Sequence, residues 1–297
     1  MPEFYLSAFA DEASIELDGQ IAALKRNGIT HIELRNVSGA LTDKSDAELH
    51  DIARALSDAG ITVSSYGSPI GKSDITADFE IELTRFRRAL DVCRIMNCSR
   101  MRIFSFFIPK ENREECCRRY RDEVIRRLSV MLDEADAAGV TLCHENEYKI
   151  YGQDPREVRD LLTALPRLRG IYDAANFIMD GCDVDEGWEA TLPSLEYLHV
   201  KDALRTDEGK AIVPAGEGLG KYREHLSDRR LGERRLCMTL EPHLYVSDTY
   251  KKIDPRRLLG TRVFATSDEA FDFAVESLRT ILCELGYTEG KDKIWKK

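Results

Sequence analysis

The segment Leu142-Cys143-His144-Glu145-Asn146-Glu147 decides the fold, because a short apolar run over 140–143 ends there abruptly in charged and polar side chains. Three later segments end in the same way: Gly170-Ile171-Tyr172-Asp173, Tyr197-Leu198-His199 and Met238-Thr239-Leu240-Glu241. Each reads as a β-strand whose last side chain is of a type that binds divalent metals. Four such endings on four successive strands predict neighbouring strands whose ends meet in one place.

Strand-like and helix-like segments alternate along the rest of the chain, which is the pattern of repeated βα units around a parallel sheet. Eight strands are predicted, at residues 4–8, 29–34, 61–66, 100–104, 140–145, 169–173, 195–199 and 236–241. Eight βα units in a chain of 297 residues predict an α/β fold, a single-domain (β/α)8 TIM barrel spanning 1–297. An open doubly wound sheet is disfavoured, because no Gly-x-Gly-x-x-Gly motif follows the first strand.

The overall composition excludes several classes of protein. A net charge of −10 disfavours binding to nucleic acid, which requires a basic face. No apolar run approaches the ~18 residues of a membrane span, and the first residues lack the features of a signal peptide. The eight cysteines are scattered without a Cys-x-x-Cys motif, which is typical of reduced thiols. We therefore expect a cytoplasmic protein that binds neither membrane nor nucleic acid.

Two long loops follow the last predicted strands. The glycine-rich segment 214–220 reads as an insertion over the site, and a second loop runs over about 244–266. Long loops in compact domains are usually functional or disordered. The first loop could close over a substrate, and the second could serve a contact between copies in a homo-oligomer.

The carboxyl ends of consecutive barrel strands converge on one mouth, so Glu145, Asp173, His199 and Glu241 are expected to face a common centre. Three carboxylates and one imidazole suit a divalent ion, with Mn2+ ahead of Mg2+, Co2+ or Zn2+. Such an ion would polarise a substrate carbonyl and stabilise an enediolate. A carboxylate on either side could then remove a proton from one face of the adjacent carbon and return one to the other.

The chain resembles the sugar phosphate isomerase/epimerase group of the xylose isomerase-like TIM barrels, over nearly its whole length. The stretches that carry the resemblance are Ser7 to Glu12, Glu33-Leu34-Arg35, 68–72, 102–106, Glu145-Asn146-Glu147, 173–177, His199-Val200-Lys201-Asp202 and 240–243. The resemblance implies that Glu145, Asp173, His199 and Glu241 are the metal ligands. It also implies that Glu145 and Glu241 are the catalytic acid/base pair.

Further polar residues near the strand ends are candidates for binding the substrate: Arg35, Lys72, Arg102, Glu147, Lys201, Glu217 and His243. For each, a structural interpretation stays open beside the functional one. Lys201 could form only a surface ion pair, Arg102 only a buried structural pair, and Glu217 could belong to a flexible loop.

These observations predict a metal-dependent isomerase or epimerase that acts on a keto sugar or a related polyol carbonyl compound. The same metal and base could instead drive elimination, as in inosose dehydratase-like or 3-keto-glycoside-cleaving lyases. The related apurinic endonucleases need additional histidines on the earlier strands, where this chain has Ser68 and Pro69. A non-catalytic sugar-binding barrel is disfavoured because all four ligands are present.

Overall fold

The computed structural model describes residues 1–246 and 262–297, so the middle of the predicted loop 244–266 lies outside the described residues. The strands are β1 (Glu3–Ala8), β2 (His31–Leu34), β3 (Thr62–Tyr66), β4 (Arg100–Ile103), β5 (Thr141–Glu145), β6 (Arg169–Asp173), β7 (Leu195–Val200), β8 (Asp202–Thr206), β9 (Gly209–Val213), β10 (Arg235–Leu240), β11 (Thr288–Glu289) and β12 (Ile294–Lys296). All eight strands expected from the sequence are present, with ends shifted by at most two residues. They are β1 to β7 and β10.

The helices are α1 (Leu17–Arg26), α2 (Asp46–Asp58), α3 (Phe79–Ile95), α4 (Arg113–Ala137), α5 (Pro155–Ala164), α6 (Ala174–Asp180), α7 (Val184–Thr191), α8 (Tyr222–Leu226) and α9 (Ser267–Glu284). Local signals define their ends. Ser45 and Glu48 form a reciprocal capping box at the start of α2. The helical segment after β6 is divided at Gly181, whose φ of +77° ends α6 before α7 begins.

The eight strands run parallel, and the order of the main sheet is β11-β12-β1-β10-β7-β6-β5-β4-β3-β2. Because β1 also contacts β2, the sheet curls round on itself with the helices outside. This is the predicted (β/α)8 TIM barrel. It places the ends of β5, β6, β7 and β10 side by side.

Two features were not predicted from the sequence. A hairpin, β8–β9, follows β7 directly, and a C-terminal pair, β11–β12, adds antiparallel strands to the edge of β1. Their strands have two to five residues each, which is too short for the apolar alternation that identifies a strand to stand out. The tail is nevertheless well packed, because Trp295 is buried beside Phe4.

The interior of the barrel below the mouth is filled by a small apolar cluster. Its members come from four adjacent strands: Cys143, Ile171, Tyr197 and Cys237. Alternate residues of a strand face the same side, so the residues two positions further along β5, β6 and β7 point into the same interior, closer to the mouth. The apolar cluster is therefore a floor under those strand ends.

The described residues include no helix that is both long and apolar enough to cross a membrane. All eight cysteines are free.

Replacing Trp295 by alanine is expected to lower the free energy of unfolding by about 3–5 kcal/mol, because a large buried side chain is removed from a packed site. Chemical denaturation measures the change. The divalent-metal affinity predicted from the sequence should stay the same, because the tail pairs with the amino-terminal end of β1, away from the mouth. The matched control is Ile81→Ala, which truncates an exposed apolar side chain on α3. A loss of stability no larger than that of the control would contradict the role of the tail.

Candidate metal centre

Four side chains meet at the mouth of the barrel. Glu145, Asp173 and His199 stand at or near the ends of β5, β6 and β7, and Glu241 directly follows β10. One potential ligand atom of each lies within 4.8 Å of the others, and all four residues are buried. The structure thus brings together the four residues that the sequence singled out. That they hold a metal stays a prediction, taken up below.

The pairing of the strands explains this convergence. Asp173 and His199 are direct partners across β6 and β7, and His199 is paired with Thr239 on β10. The backbone N–H of Glu241 donates to the carbonyl of Val200 at 3.1 Å, which continues the sheet by one residue. This register places the last side chains of the neighbouring strands at the same height along the barrel axis.

The imidazole of His199 lies at the centre of the group. Its Nδ1 is 3.2 Å from Oε1 of Glu145 and 3.4 Å from Oε2 of Glu241, and it has no hydrogen-bond partner. Burial lowers the pKa of His199, but the negative charges of Glu145 and Glu33 outweigh this effect and raise the pKa to about 10. The site therefore favours a positive charge at Nδ1. One imidazole nitrogen and several carboxylate oxygens around a buried atom without a partner fit a divalent cation.

The pKa values of the three carboxyl groups are shifted in different directions by their surroundings. Burial raises the pKa of Glu145, but the charges of His199 and Arg102 prevail and lower that pKa to about 2. For Asp173, burial outweighs the nearby cation Lys201, and the pKa rises to about 7. Burial also opposes ionisation of Glu241, yet Lys201 and other cations hold its pKa well below the usual range. Glu145 and Glu241 are thus held as carboxylates.

Lys201 is a buried cation of this site. Its Nζ lies 2.9 Å from Oδ2 of Asp173 and 3.1 Å from Oε2 of Glu241. Burial lowers the pKa of Lys201, but these two carboxylates overcome it and raise the pKa well above the usual value. The backbone of Lys201 is held from both sides by Tyr222, whose hydroxyl accepts from the N–H at 3.0 Å and donates to the C=O at 2.8 Å. The ammonium is therefore fixed among the candidate ligands rather than in a surface ion pair.

A cavity of about 250 Å³ opens above these residues. It is lined by six of the seven side chains predicted to bind substrate: Arg35, Lys72, Arg102, Glu147, Lys201 and His243. Arg102 donates to Oε2 of Glu145 at 3.2 Å, and Arg35 donates to Oε1 of Glu241 at 3.2 Å. Each arginine thereby orients one of the two glutamates.

The outer rim of the cavity carries two further pairs. Lys72 Nζ donates to Oε2 of Glu147 at 2.7 Å and lies over the ring of Phe104. His243 Nε2 is 3.2 Å from Oε1 of Glu12, which also accepts the backbone N–H of His243 through its other oxygen. His243 has a φ of +44°, a left-handed conformation that Glu12 holds in place.

Glu217 is the one predicted substrate-binding residue that the structure does not bring to this cavity. Its exposed carboxylate lies 3.5 Å from Nη2 of Arg262. The glycine-rich loop folds around the carboxylate of Asp202, which accepts the backbone N–H groups of Gly216, Gly218 and Gly220. A Cβ at Gly218 would lie 2.3 Å from Oδ1 of Asp202, so this close wrapping requires glycine there. The loop borders a separate cavity instead of covering the mouth.

Sequence reasoning missed two polar residues of the site. Glu33, on β2, is fully buried and contacts His199 across the barrel at 3.1 Å. Asn176, at the start of α6, donates through Nδ2 to Oε1 of Glu145 at 3.2 Å. Glu33 had one signal, a lone carboxylate inside a short apolar strand and two residues before Arg35. Asn176 lies in the stretch 173–177 that carries the resemblance, but nothing singled it out within that stretch, because its contact depends on how α6 leaves β6.

Comparison with known proteins places the fold among solved structures. The structure named as IOLI protein with a bound zinc atom has a TM-score of 0.69 at 16% identity, covering 95% of this chain and 99% of that chain. A D-psicose 3-epimerase from Clostridium cellulolyticum H10, solved with D-tagatose, has a TM-score of 0.66 at 15% identity, covering 95% of this chain and 99% of that chain. The probable 3-DHS dehydratase AsbF from Bacillus anthracis has a TM-score of 0.68 at 15% identity, covering 94% of this chain and 99% of that chain.

At these identities, the structural similarities establish the fold alone. The sequence comparison with curated proteins gives no match. The sequence model of the xylose isomerase-like TIM barrel, however, matches residues 21–241, which is most of the chain and ends on the last candidate ligand. The chain therefore belongs to the xylose isomerase-like TIM barrel family.

Proposed function

We propose that this protein is a divalent-metal-dependent sugar isomerase or epimerase that moves a proton on the carbon next to a carbonyl group. The observation that carries the proposal is the buried group of Glu145, Asp173, His199 and Glu241, in which Nδ1 of His199 lacks a hydrogen-bond partner. The substrate class we propose is a keto sugar or a related polyol carbonyl compound.

The proposed ion is Mn2+, with Mg2+, Co2+ or Zn2+ as substitutes, because mixed carboxylate and imidazole ligands suit ions of intermediate hardness. A zinc atom is bound in the neighbour named as IOLI protein, which supports the proposal that a barrel of this fold holds a metal. Glu145, Asp173, His199 and Glu241 would hold the ion, and when bound it would act as a Lewis acid that polarises a substrate carbonyl.

Glu145 and Glu241 are the proposed acid/base pair. They flank the imidazole of His199, and both are held as carboxylates, the form that accepts a proton. One would take a proton from the substrate carbon as a carboxylate. The other would first take up a proton from solvent through the cavity and would then return it to the opposite face of that carbon. A positioned general base contributes about 10²–10⁴-fold to the rate. Arg102 and Arg35, each bound to one of the glutamates, would keep the two oxygens aimed at the cavity.

The remaining cavity residues would bind the substrate. A volume of about 250 Å³ suits a small molecule, and the rim offers cations and a carboxylate for its hydroxyl groups. Lys201 would donate to a substrate oxygen close to the ion, while Lys72, Glu147 and His243 would contact its far end. Glu217 has no part in this proposal, because it lies outside the cavity.

A lyase that eliminates water or an aglycone is the second candidate. It draws support from the similarity to the structure described as a probable 3-DHS dehydratase. Lys201 adds a specific reason, because a buried ammonium beside Asp173 and Glu241 could protonate a leaving hydroxyl group. The fold cannot separate the two reactions, since one barrel hosts many chemistries.

The partners that we propose are small carbohydrates rather than nucleic acid or membrane. Cytoplasmic location and homo-oligomer formation stay predictions from the sequence.

The first test concerns the ion. Isothermal titration of the purified, chelator-treated protein with Mn2+ should show one site, and Asp173→Asn should weaken binding by more than about 100-fold, beyond the loss typical of outer residues. The control is Asp122→Asn, which removes an exposed carboxylate from α4 and should bind as the wild type does. Absence of Mn2+, Mg2+, Co2+ and Zn2+ binding by the wild-type protein would refute the site.

The second test separates the two reactions. The Mn2+-loaded protein is incubated with a panel of keto sugars in D2O, and the products are followed by NMR and mass spectrometry. Solvent deuterium on the carbon next to the carbonyl, with an intact skeleton, is expected for the isomerase or epimerase. Loss of water or of an aglycone would instead establish the lyase.

The same exchange assay tests the acid/base pair. Glu145→Gln and Glu241→Gln should each reduce deuterium incorporation by at least about 10²-fold, because each removes a carboxylate that carries the proton. Glu114→Gln, an exposed substitution on α4, is the control and should exchange normally. Undiminished exchange in either site variant would remove that residue from the pair.

A further inference from the structure

We infer that Glu33 is a positioning residue, which orients His199 so that its Nδ1, and not its Nε2, faces the metal centre. The inference rests on the metal site proposed above and adds a residue from the opposite side of the barrel. The sequence analysis includes Glu33 in a stretch that carries the family resemblance but gives it no role.

Glu33 reaches His199 across the interior of the barrel. β2 and β7 are not neighbours in the sheet, so only long inward side chains can join them. Oε2 of Glu33 accepts from Nε2 of His199 at 3.1 Å, and Oε1 accepts from the hydroxyl of Tyr197 at 2.8 Å. Both residues of the Glu33–His199 pair are completely buried. The carboxylate therefore has fixed partners on both of its oxygens.

This contact decides which imidazole nitrogen is available. A carboxylate only accepts, so Nε2 of His199 must carry the hydrogen that it donates to Glu33. Once the histidine is neutral, its lone pair is therefore on Nδ1. Nδ1 is the atom that lies 3.2 Å from Glu145 and 3.4 Å from Glu241. A carboxylate behind a ligating histidine fixes both its tautomer and the orientation of its ring.

Two aromatic side chains also contact the imidazole ring of His199, but they cannot select which of its nitrogens faces the metal centre. Phe9 and Tyr197 both pack edge-on against the imidazole, with ring centroids 5.1 and 5.5 Å away. Aromatic edges restrict the plane of the ring but cannot distinguish one nitrogen from the other. Glu33 is the group that makes this distinction on the Nε2 side.

Stability alone is a poor reason for a carboxylate at this position. Removing a carboxylate from water costs several kcal/mol, and apolar replacements of buried ionic groups are often neutral or stabilising. A purely structural role would make Glu33 matter for folding, with no separate effect on metal affinity. A positioning role makes it matter for metal affinity beyond any change in stability.

The experiment measures Zn2+ affinity by competition with a chromophoric chelator, and the stability of the metal-free protein by chemical denaturation. Glu33→Gln keeps the size of the side chain but removes the charge, and it should weaken Zn2+ binding by about 10–100-fold. Glu82→Gln is the matched control. It makes the same substitution at another buried carboxylate, on α3, where Glu82 accepts from the backbone N–H of Gly71 at 2.6 Å. It should change affinity by less than about threefold, which is about half of the 1.4 kcal/mol that corresponds to a tenfold change.

A second measurement reads the tautomer of His199 directly in the wild-type protein. In 15N-labelled wild-type protein loaded with Zn2+, long-range 1H–15N correlation spectra report the tautomer of each histidine, and loss of a signal in His199→Gln assigns His199. The expected result is a metal-bound Nδ1 and a protonated Nε2 whose proton is shifted downfield by the carboxylate. In Glu33→Gln that proton should move upfield.

The outcomes are distinct. A His199 that binds Zn2+ through Nε2, an unchanged affinity in Glu33→Gln, or an equal loss in Glu82→Gln would each overturn the role of Glu33. If the wild-type protein binds no Zn2+, the proposed metal site itself is refuted, and the positioning role of Glu33 is refuted with it.

Discussion

The structure depends on one electrostatic constraint: carboxylates from neighbouring strand ends can share a buried barrel mouth only if positive charge lies among them. Like charges a few ångströms apart in a poorly polarisable interior repel strongly. Here Glu145, Asp173 and Glu241 all lie around His199, and Glu33 lies behind it. The protein supplies compensating cations from its own chain, and the same negative charge is what would attract a divalent ion.

The compensating cations are themselves held by the scaffold, which is why they can orient the carboxylates. Lys201 is fixed through its backbone by Tyr222, and the next residue, Asp202, is wrapped by the glycine-rich loop. Arg102 donates to Glu145 and also to the backbone carbonyl of Gly67 at 3.0 Å. The loop that the sequence suggested as a lid therefore serves as a support for the end of β7. Its glycines are needed because their amides approach a carboxylate closely.

Membership of the xylose isomerase-like family gives the fold, but the reaction has to be argued from the site. Two glutamates flank the imidazole of His199, each bound to its own arginine, and this arrangement supports proton transfer to both faces of a substrate carbon. Lys201 is the feature that keeps elimination as an alternative, since a buried ammonium can also act as a proton donor. The choice between the two reactions therefore concerns the role of one lysine rather than the architecture.

The sequence by itself determined the barrel, its eight strands and the convergence of Glu145, Asp173, His199 and Glu241. It could do so because parallel strands carry their last residues to one end, so a local pattern repeated along the chain has a global consequence. Only the tertiary structure decided the partners of those residues. The contact of Glu33 with His199 depends on a distance across the barrel, that of Lys201 with Asp173 on the reach of a side chain between neighbouring strands, and that of Glu217 with Arg262 on a distance between loops. These contacts cannot be predicted from residue periodicity. The number of residues between two positions does not determine the distance between their side chains in the folded protein.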